Sequence, residues 1–429
     1  MRAAPRASTV SPSVRTYALV ALAVVGFLHQ LDKVFIYMFL EPIKKEFLLT
    51  DTEVGIISGA AFAITYGLIG VPVARLSDRG NRKWIIGACL ATWSLFTAIC
   101  GASTGFISLL LARIGVGAGE AGAIPATHSL LGDYYPRDLR SRALAVVTGS
   151  MALGAFFGMM LGGIMAQTIG WRNSFYIMGS IGILLAVIFQ LTVREPDRPI
   201  ETEHPERSMK GILRELGDIK SFIMMALAQA FAAFTGAAMA WLPSYFQRSF
   251  SLSPLQVGLG LGLSIGLPFA IGTFLGGHFS MRHVGSSKSW SIKFAAITIA
   301  SGLPFYIGSF FAPNAVAAFI LLFASMLAFS AATGPIGVAV QDLISPRARA
   351  TAVALIGVLS GVVGAGLGPV LIGAFSDLIR ILDPSANSLR FGLIAVSFPL
   401  LLTCSFYWML ARRIDASYSD PHDIHAVQT

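Results

Sequence analysis

The sequence predicts an all-α membrane protein: twelve transmembrane helices in two six-helix, pseudo-symmetric halves. Of its 429 residues, 55% are hydrophobic and only 12% charged, with mean hydropathy +0.71, whereas soluble domains carry about 25% charged residues. Apolar runs of roughly 18–25 residues recur along the chain, the length that crosses a ~30 Å hydrocarbon core. A polar, proline-bearing segment opening Val193-Arg-Glu-Pro-Asp-Arg-Pro lies between the sixth and seventh runs and divides them evenly.

The first-half spans are expected over 17–39, 54–75, 84–103, 105–131, 143–167 and 172–192. Those of the second half are expected over 221–247, 255–280, 292–311, 314–340, 350–375 and 391–411. The organisation is then a tail (1–16), a half (17–193), a linker (194–218), a second half (219–413) and a tail (414–429). The first run follows a short basic tail without a small-residue cleavage site, so it reads as a span and not a signal peptide. Of the 31 Lys and Arg residues, 23 fall in loops on one side, 6 on the other, and Lys33 and Arg113 inside spans. The positive-inside rule makes the 23-residue side cytoplasmic, with both termini there. That topology accounts for the net charge of +9 without a nucleic-acid partner. Cys89, Cys100 and Cys404 lack pairwise spacing and read as small core residues, with no metal or cofactor expected.

The halves resemble each other. Asp133-Tyr-Tyr-Pro-Arg137 leading to Ser141-Arg-Ala143 is matched by Asp342-Leu-Ile-Ser-Pro-Arg347 leading to Ala348-Arg-Ala350. A glycine-studded span follows each: Gly149, Gly154, Gly158, Gly162 and Gly163 in one, Gly357, Gly361, Gly364, Gly366 and Gly368 in the other. Small residues at this spacing allow close helix approach. A parallel repeat of six-span halves around a central site is an alternating-access architecture.

Charges inside spans are the sharpest functional signal, because each costs at least ~2.5–3.5 kcal/mol to insert and therefore faces the protein interior. Asp32-Lys33 interrupt the first span; Arg113 and Glu120, seven residues apart, share one face of the fourth. At ~1.5 Å per residue, Asp32 lies ~22 Å from the inner edge and Arg113 ~12 Å below the outer one. In a ~30 Å core their depths differ by only ~4 Å. An Asp32–Arg113 pair follows, with Glu120 nearer the cytoplasm. An acid held between desolvation and a nearby cation can exchange a proton as the site opens to each side. Asp32 and Glu120 are therefore expected to couple protons, with Arg113 as switchable partner and His29, four residues before Lys33, as either a relay or a polar residue lining the cavity. Cavity-lining candidates are Tyr66, Phe231, Phe234 and Trp241, with Phe62, Phe156 and Tyr245 beside them. An enzyme is not expected, since no His-Glu-x-x-His, Gly-x-Ser-x-Gly elbow or paired-cysteine site is read in the chain.

Between spans two and three, Ala74-Arg-Leu-Ser-Asp78-Arg79-Gly-Asn-Arg82-Lys83 resembles the Gly-x-x-x-Asp-Arg-x-Gly-Arg-Arg loop of the major facilitator superfamily. The resemblance implies the major facilitator fold, usually monomeric, and a gating role for Asp78, Arg79 and Arg82, with Asp133 in the same network. Gly277-His-Phe-Ser-Met281-Arg282 is similar to a degenerate second copy with Met281 at the aspartate position. Leu31-Asp32-Lys33, Trp93-Ser94, Gly117-Ala-Gly119-Glu120-Ala121 with Pro125, Gly170-Trp171-Arg172 and Arg194-Glu195-Pro196 resemble the spinster-like branch. That implies proton-coupled transport of an amphipathic, lysolipid- or sphingoid-like solute, in a multi-pass protein of the bacterial inner membrane. The partners expected are the substrate, protons and membrane lipid. The branch has Asp-Arg where this chain has Asp32-Lys33, and lysine lacks arginine's bidentate fork. Anion porters of the superfamily also resemble the Glu-Ala-x-x-x-Pro pattern of the fourth span. A proton symporter of sugar acids or aromatic carboxylates is therefore the alternative.

Overall fold

The computed structural model describes residues 11–196, 219–282, 289–344 and 349–418. Among them every regular element is helical. Among the described residues, twelve helices are long and apolar enough to cross a membrane. In the first half these are α1 (Pro12–Phe47), α2 (Asp51–Ser77), α3 (Arg82–Gly101), α4 (Phe106–Tyr134), α5 (Leu139–Thr168) and α6 (Gly170–Thr192). The second half supplies α7 (Lys220–Ala238), α8 (Pro254–Phe279), α9 (Trp290–Ser309), α10 (Ala315–Val340), α11 (Leu355–Leu382) and α12 (Ser388–Ala416). Most of the expected linker, 197–218, lies outside the described residues.

Two helices change geometry beside their charged residues. α1 starts on a Ser11 cap with Pro12 in its first turn, then tightens into a 3-10 turn at Ile36–Phe39, one turn past Asp32-Lys33. α4 is interrupted at Ala121-Gly122, between Phe106–Glu120 and Ala123–Tyr134. Pro125 has no N–H to offer the Ala121 carbonyl. Glu120 thus ends a helical segment, where the backbone dipole disfavours negative charge.

A second internal repeat surrounds the starts of α2 and α8. Phe47-Leu-Leu-Thr-Asp-Thr-Glu-Val-Gly55 is matched by Phe250-Ser-Leu-Ser-Pro-Leu-Gln-Val-Gly258. Thr50 with Glu53, and Ser253 with Gln256, form reciprocal capping boxes. Two residues earlier, Leu48 and Ser251 both take left-handed backbone, at φ 55° and 52°. Beyond the caps both helices widen into π-turns, Ile56–Ala60 and Gly262–Gly266; such turns often mark functional positions. Gly262-Leu-Ser-Ile-Gly266 carries the Gly-x-Ser-x-Gly spacing of a hydrolase elbow. That elbow needs a strand-to-helix turn, and this segment is wholly helical.

The chain divides into two compact units, Met1–His204 with Phe246–Gly262, and Pro205–Tyr245 with Leu263–Thr429. Inside the first, α5 lies directly on the α1 backbone. A Cβ on Gly154 would stand 2.2 Å from the Phe27 carbonyl oxygen, and one on Gly158 2.9 Å from that of Leu31. Inside the second, Gly364 and Gly368 of α11 face Ala233 and Ala237 of α7, where added Cβ atoms would meet theirs at 2.1 and 2.3 Å. The same helix pair closes in each half, as the repeat requires. Gly154→Ala is therefore expected to destabilise the protein by about 1–3 kcal/mol, because a carbonyl cannot rotate aside as a side chain can. Gly149→Ala, whose Cβ would meet nothing within 4 Å, is the control. Unfolding in detergent micelles distinguishes the two.

Candidate functional site

The four intramembrane charges gather within the first unit, together with neutral and aromatic partners. Glu120 is fully buried, Arg113 2% and Asp32 8% exposed. Asp32 accepts from Thr97, whose hydroxyl lies 3.0 and 3.1 Å from its two oxygens. The Glu120 carboxyl lies 3.3 Å from His29 Nε2, too poorly aligned to count as a hydrogen bond, so both its oxygens stay unsatisfied. Lys33 Nζ and Arg113 Cζ each stand 5.4 Å from the centre of the Phe62 ring, within cation–π range. Among the described residues no carboxylate lies within ion-pair distance of either cation, and Arg113 Nε has no hydrogen-bond partner.

Phe62 occupies this position because α2 is re-registered by the π-turn that ends at Ala60 and because α4 approaches it closely. A Cβ on Gly117 would meet the Phe62 carbonyl oxygen at 2.7 Å. Tyr66, one turn on, stacks on Phe62 at 5.6 Å, and its ring stands 6.3 Å from His29. The Trp93 ring meets His29 in an edge-to-face arrangement at 6.0 Å. The sequence located these charges but not Thr97 or the role of Phe62. The expected Asp32–Arg113 pair does not close to ion-pair distance: Thr97 reaches the Asp32 carboxyl, and the Arg113 charge acts on it through space.

A second cluster joins the start of α3 to the ends of α4 and α6. Arg82, 2% exposed, donates through Nε to Glu195 at 2.7 Å and through Nη1 to Asp133. The Lys83 N–H donates to the other Glu195 oxygen at 2.8 Å, and the Tyr134 hydroxyl to the Arg194 carbonyl. Arg82 and Asp133 are thus brought together, and Glu195 completes the cluster. The side chains of Asp78, Arg79, Met281, Arg282 and Asp342 lie outside the described residues.

A third cluster escaped sequence reasoning. Arg248, in the Phe246–Gly262 segment of the first unit, grips Asp51 with both ends of its guanidinium, at 2.8 and 3.1 Å. Its Nε donates to Glu41 at 2.7 Å, and Lys44 also reaches Asp51. Asp51 is fully buried. Its position, directly after the Thr50 cap, was the available signal.

The aromatic candidates of the second half lie inside the second unit. Phe231 stacks on Phe406 at 6.0 Å, and Phe234 is 8% exposed. Trp241 is fully enclosed, with its indole N–H donated to the Pro369 carbonyl at 2.9 Å. Trp241 is thus a packed residue.

A model of the Major Facilitator Superfamily matches residues 22–369. An "MFS-type efflux pump" of Mycolicibacterium smegmatis is 30% identical over 406 residues, covering 93% of each chain. Human "Protein spinster homolog 1" is 27% identical across 94% of this chain and 80% of its own. A "Probable L-galactonate transporter" of Escherichia coli is 26% identical across 67% and 64%. A crystal structure of a bacterial homolog to the human lysosomal transporter spinster, inward-facing and unoccupied, superposes with TM-score 0.86 at 28% identity. It covers 96% of this chain and all of its own.

Proposed function

The chain belongs to the major facilitator superfamily, as a transporter of its spinster-like branch and not an enzyme, and we propose that it couples protons to movement of an amphipathic solute. The solute is an organic or lysolipid- or sphingoid-like molecule, carried by alternating access. One observation supports this most: the buried acids Asp32 and Glu120 meet Thr97 and His29, while buried Arg113 and half-buried Lys33 stand over one aromatic ring. Charge held in a membrane interior without a direct ion pair is costly and is retained where it works. Protons would complete Asp32 and Glu120, and the anionic or dipolar head of a substrate would complete Lys33 and Arg113. Phe62 and Tyr66 then offer an apolar surface to the rest of the solute. The Asp133–Arg82–Glu195 cluster, with Asp78 and Arg79, would act as the cytoplasmic gate, in an inner-membrane protein with both termini inside.

The cations also favour the second reading, a sugar-acid or aromatic-carboxylate symporter, which the L-galactonate relative suits. Counterflow in proteoliposomes separates the readings. The expected result is saturable exchange of a radiolabelled lysophospholipid that galactonate and benzoate fail to inhibit. Exchange of the carboxylates alone would transfer the assignment to the second reading, and exchange of neither class would overturn both.

A further inference from the structure

Between α9 and α12, within the second unit, lies a groove of about 500 Å³, lined by Ala296, Ile297 and Ala300 on one side and Cys404, Trp408 and Met409 on the other. Spacings of three and four residues put each set on one helical face. Two alanines leave the space, and the Cys404 thiol donates to the Ala296 carbonyl at 3.5 Å across the two helices. Ile297, Trp408 and Met409 are 53%, 42% and 54% exposed. On membrane-spanning helices, that exposure is to hydrocarbon.

One end of the groove is basic. Arg412 and Arg413 continue the Trp408–Met409 stripe by one turn, ~6 Å along the axis, and both are exposed. Lys293 stands one turn before Ile297 on the other wall, where Asp415 holds its ammonium at 2.6 Å. Among the described residues no carboxylate lies within ion-pair distance of Arg412. A tryptophan one turn from such cations occupies the depth where indoles mark the boundary between hydrocarbon and headgroups. Basic pockets between membrane helices fit anionic headgroups.

We propose that this groove is a binding site for an anionic diacyl glycerophospholipid, with an acyl chain between α9 and α12 and the phosphate on Arg412 and Arg413. The lipid is a resident of the bilayer, and the site is independent of the charged cluster in the first unit. Phospholipids with brominated acyl chains quench nearby tryptophan, and the difference between wild type and Trp408→Phe isolates the Trp408 signal. In reconstituted protein, brominated phosphatidylglycerol is expected to occupy the site about fivefold more tightly than brominated phosphatidylcholine. The double variant R412Q/R413Q brings that ratio to one. Ala300→Phe, which fills the groove from the lipid side, also removes the preference. Equal quenching by the two lipids in wild type overturns the proposal, as does a preference that survives either variant.

Discussion

Replacing Arg248 with alanine is expected to lower the unfolding free energy by about 3 kcal/mol, the low end of the cost of removing one partner from a buried ion pair. The loss leaves fully buried Asp51 and nearly buried Glu41 without the guanidinium that bridges them. Lys44 remains on Asp51 and moderates the damage. Arg248→Lys keeps the charge but not the two-pronged grip, so it is expected to recover about half of the loss. Hydrogen exchange around the Thr50 and Ser253 caps should rise in the alanine variant, because Arg248 anchors Phe246–Gly262 within the first unit. Titration with denaturing detergent gives the free energy. A midpoint indistinguishable from wild type would show that the cluster is solvated and unimportant to the fold.

Glu120→Gln is expected to reduce pH-gradient-driven accumulation in proteoliposomes at least tenfold while leaving counterflow at equal pH largely intact. Glutamine preserves the volume and the approach to His29 but has no proton to exchange. Counterflow requires only that the loaded carrier alternate, so the pair of assays separates coupling from binding. On the proposed reading Arg113 and Lys33 would still meet the substrate, because both keep the Phe62 ring, although they lose the through-space attraction of the Glu120 carboxylate. If gradient-driven accumulation matched wild type, Glu120 would be a structural acid and the coupling role would fall to Asp32 alone. Loss of both activities would instead make it part of the binding surface.

Much of the fold was legible because membrane helices obey a length rule and the two halves repeat. The glycines of α5 and α11 announced close helix crossings, and the structure supplies their partners on α1 and α7. The site was legible only as a set of charges at similar depth. Depth along an axis says nothing about azimuth, so the similar depth expected of Asp32 and Arg113 does not bring them within ion-pair distance, and Thr97 reaches Asp32 instead. Nothing in a threonine within an apolar run marks it as a carboxylate donor. The π-turn that directs Phe62 toward two cations has no sequence signature either. Arg248 and Asp51 are 197 residues apart, and each reads alone as a solvated loop charge.

The sequence by itself determined how many helices cross the membrane, which residues carry charge into it, and the family to which the chain belongs. These follow from hydrophobic length, the cost of buried charge and local motif spacing, all properties of contiguous residues. Only the tertiary structure decided which partner each charge receives. That depends on helix rotation and on backbone distances set by glycines and π-turns, where a shift of one residue turns a side chain by about 100° at 3.6 residues per turn and exchanges a carboxylate for an aromatic ring.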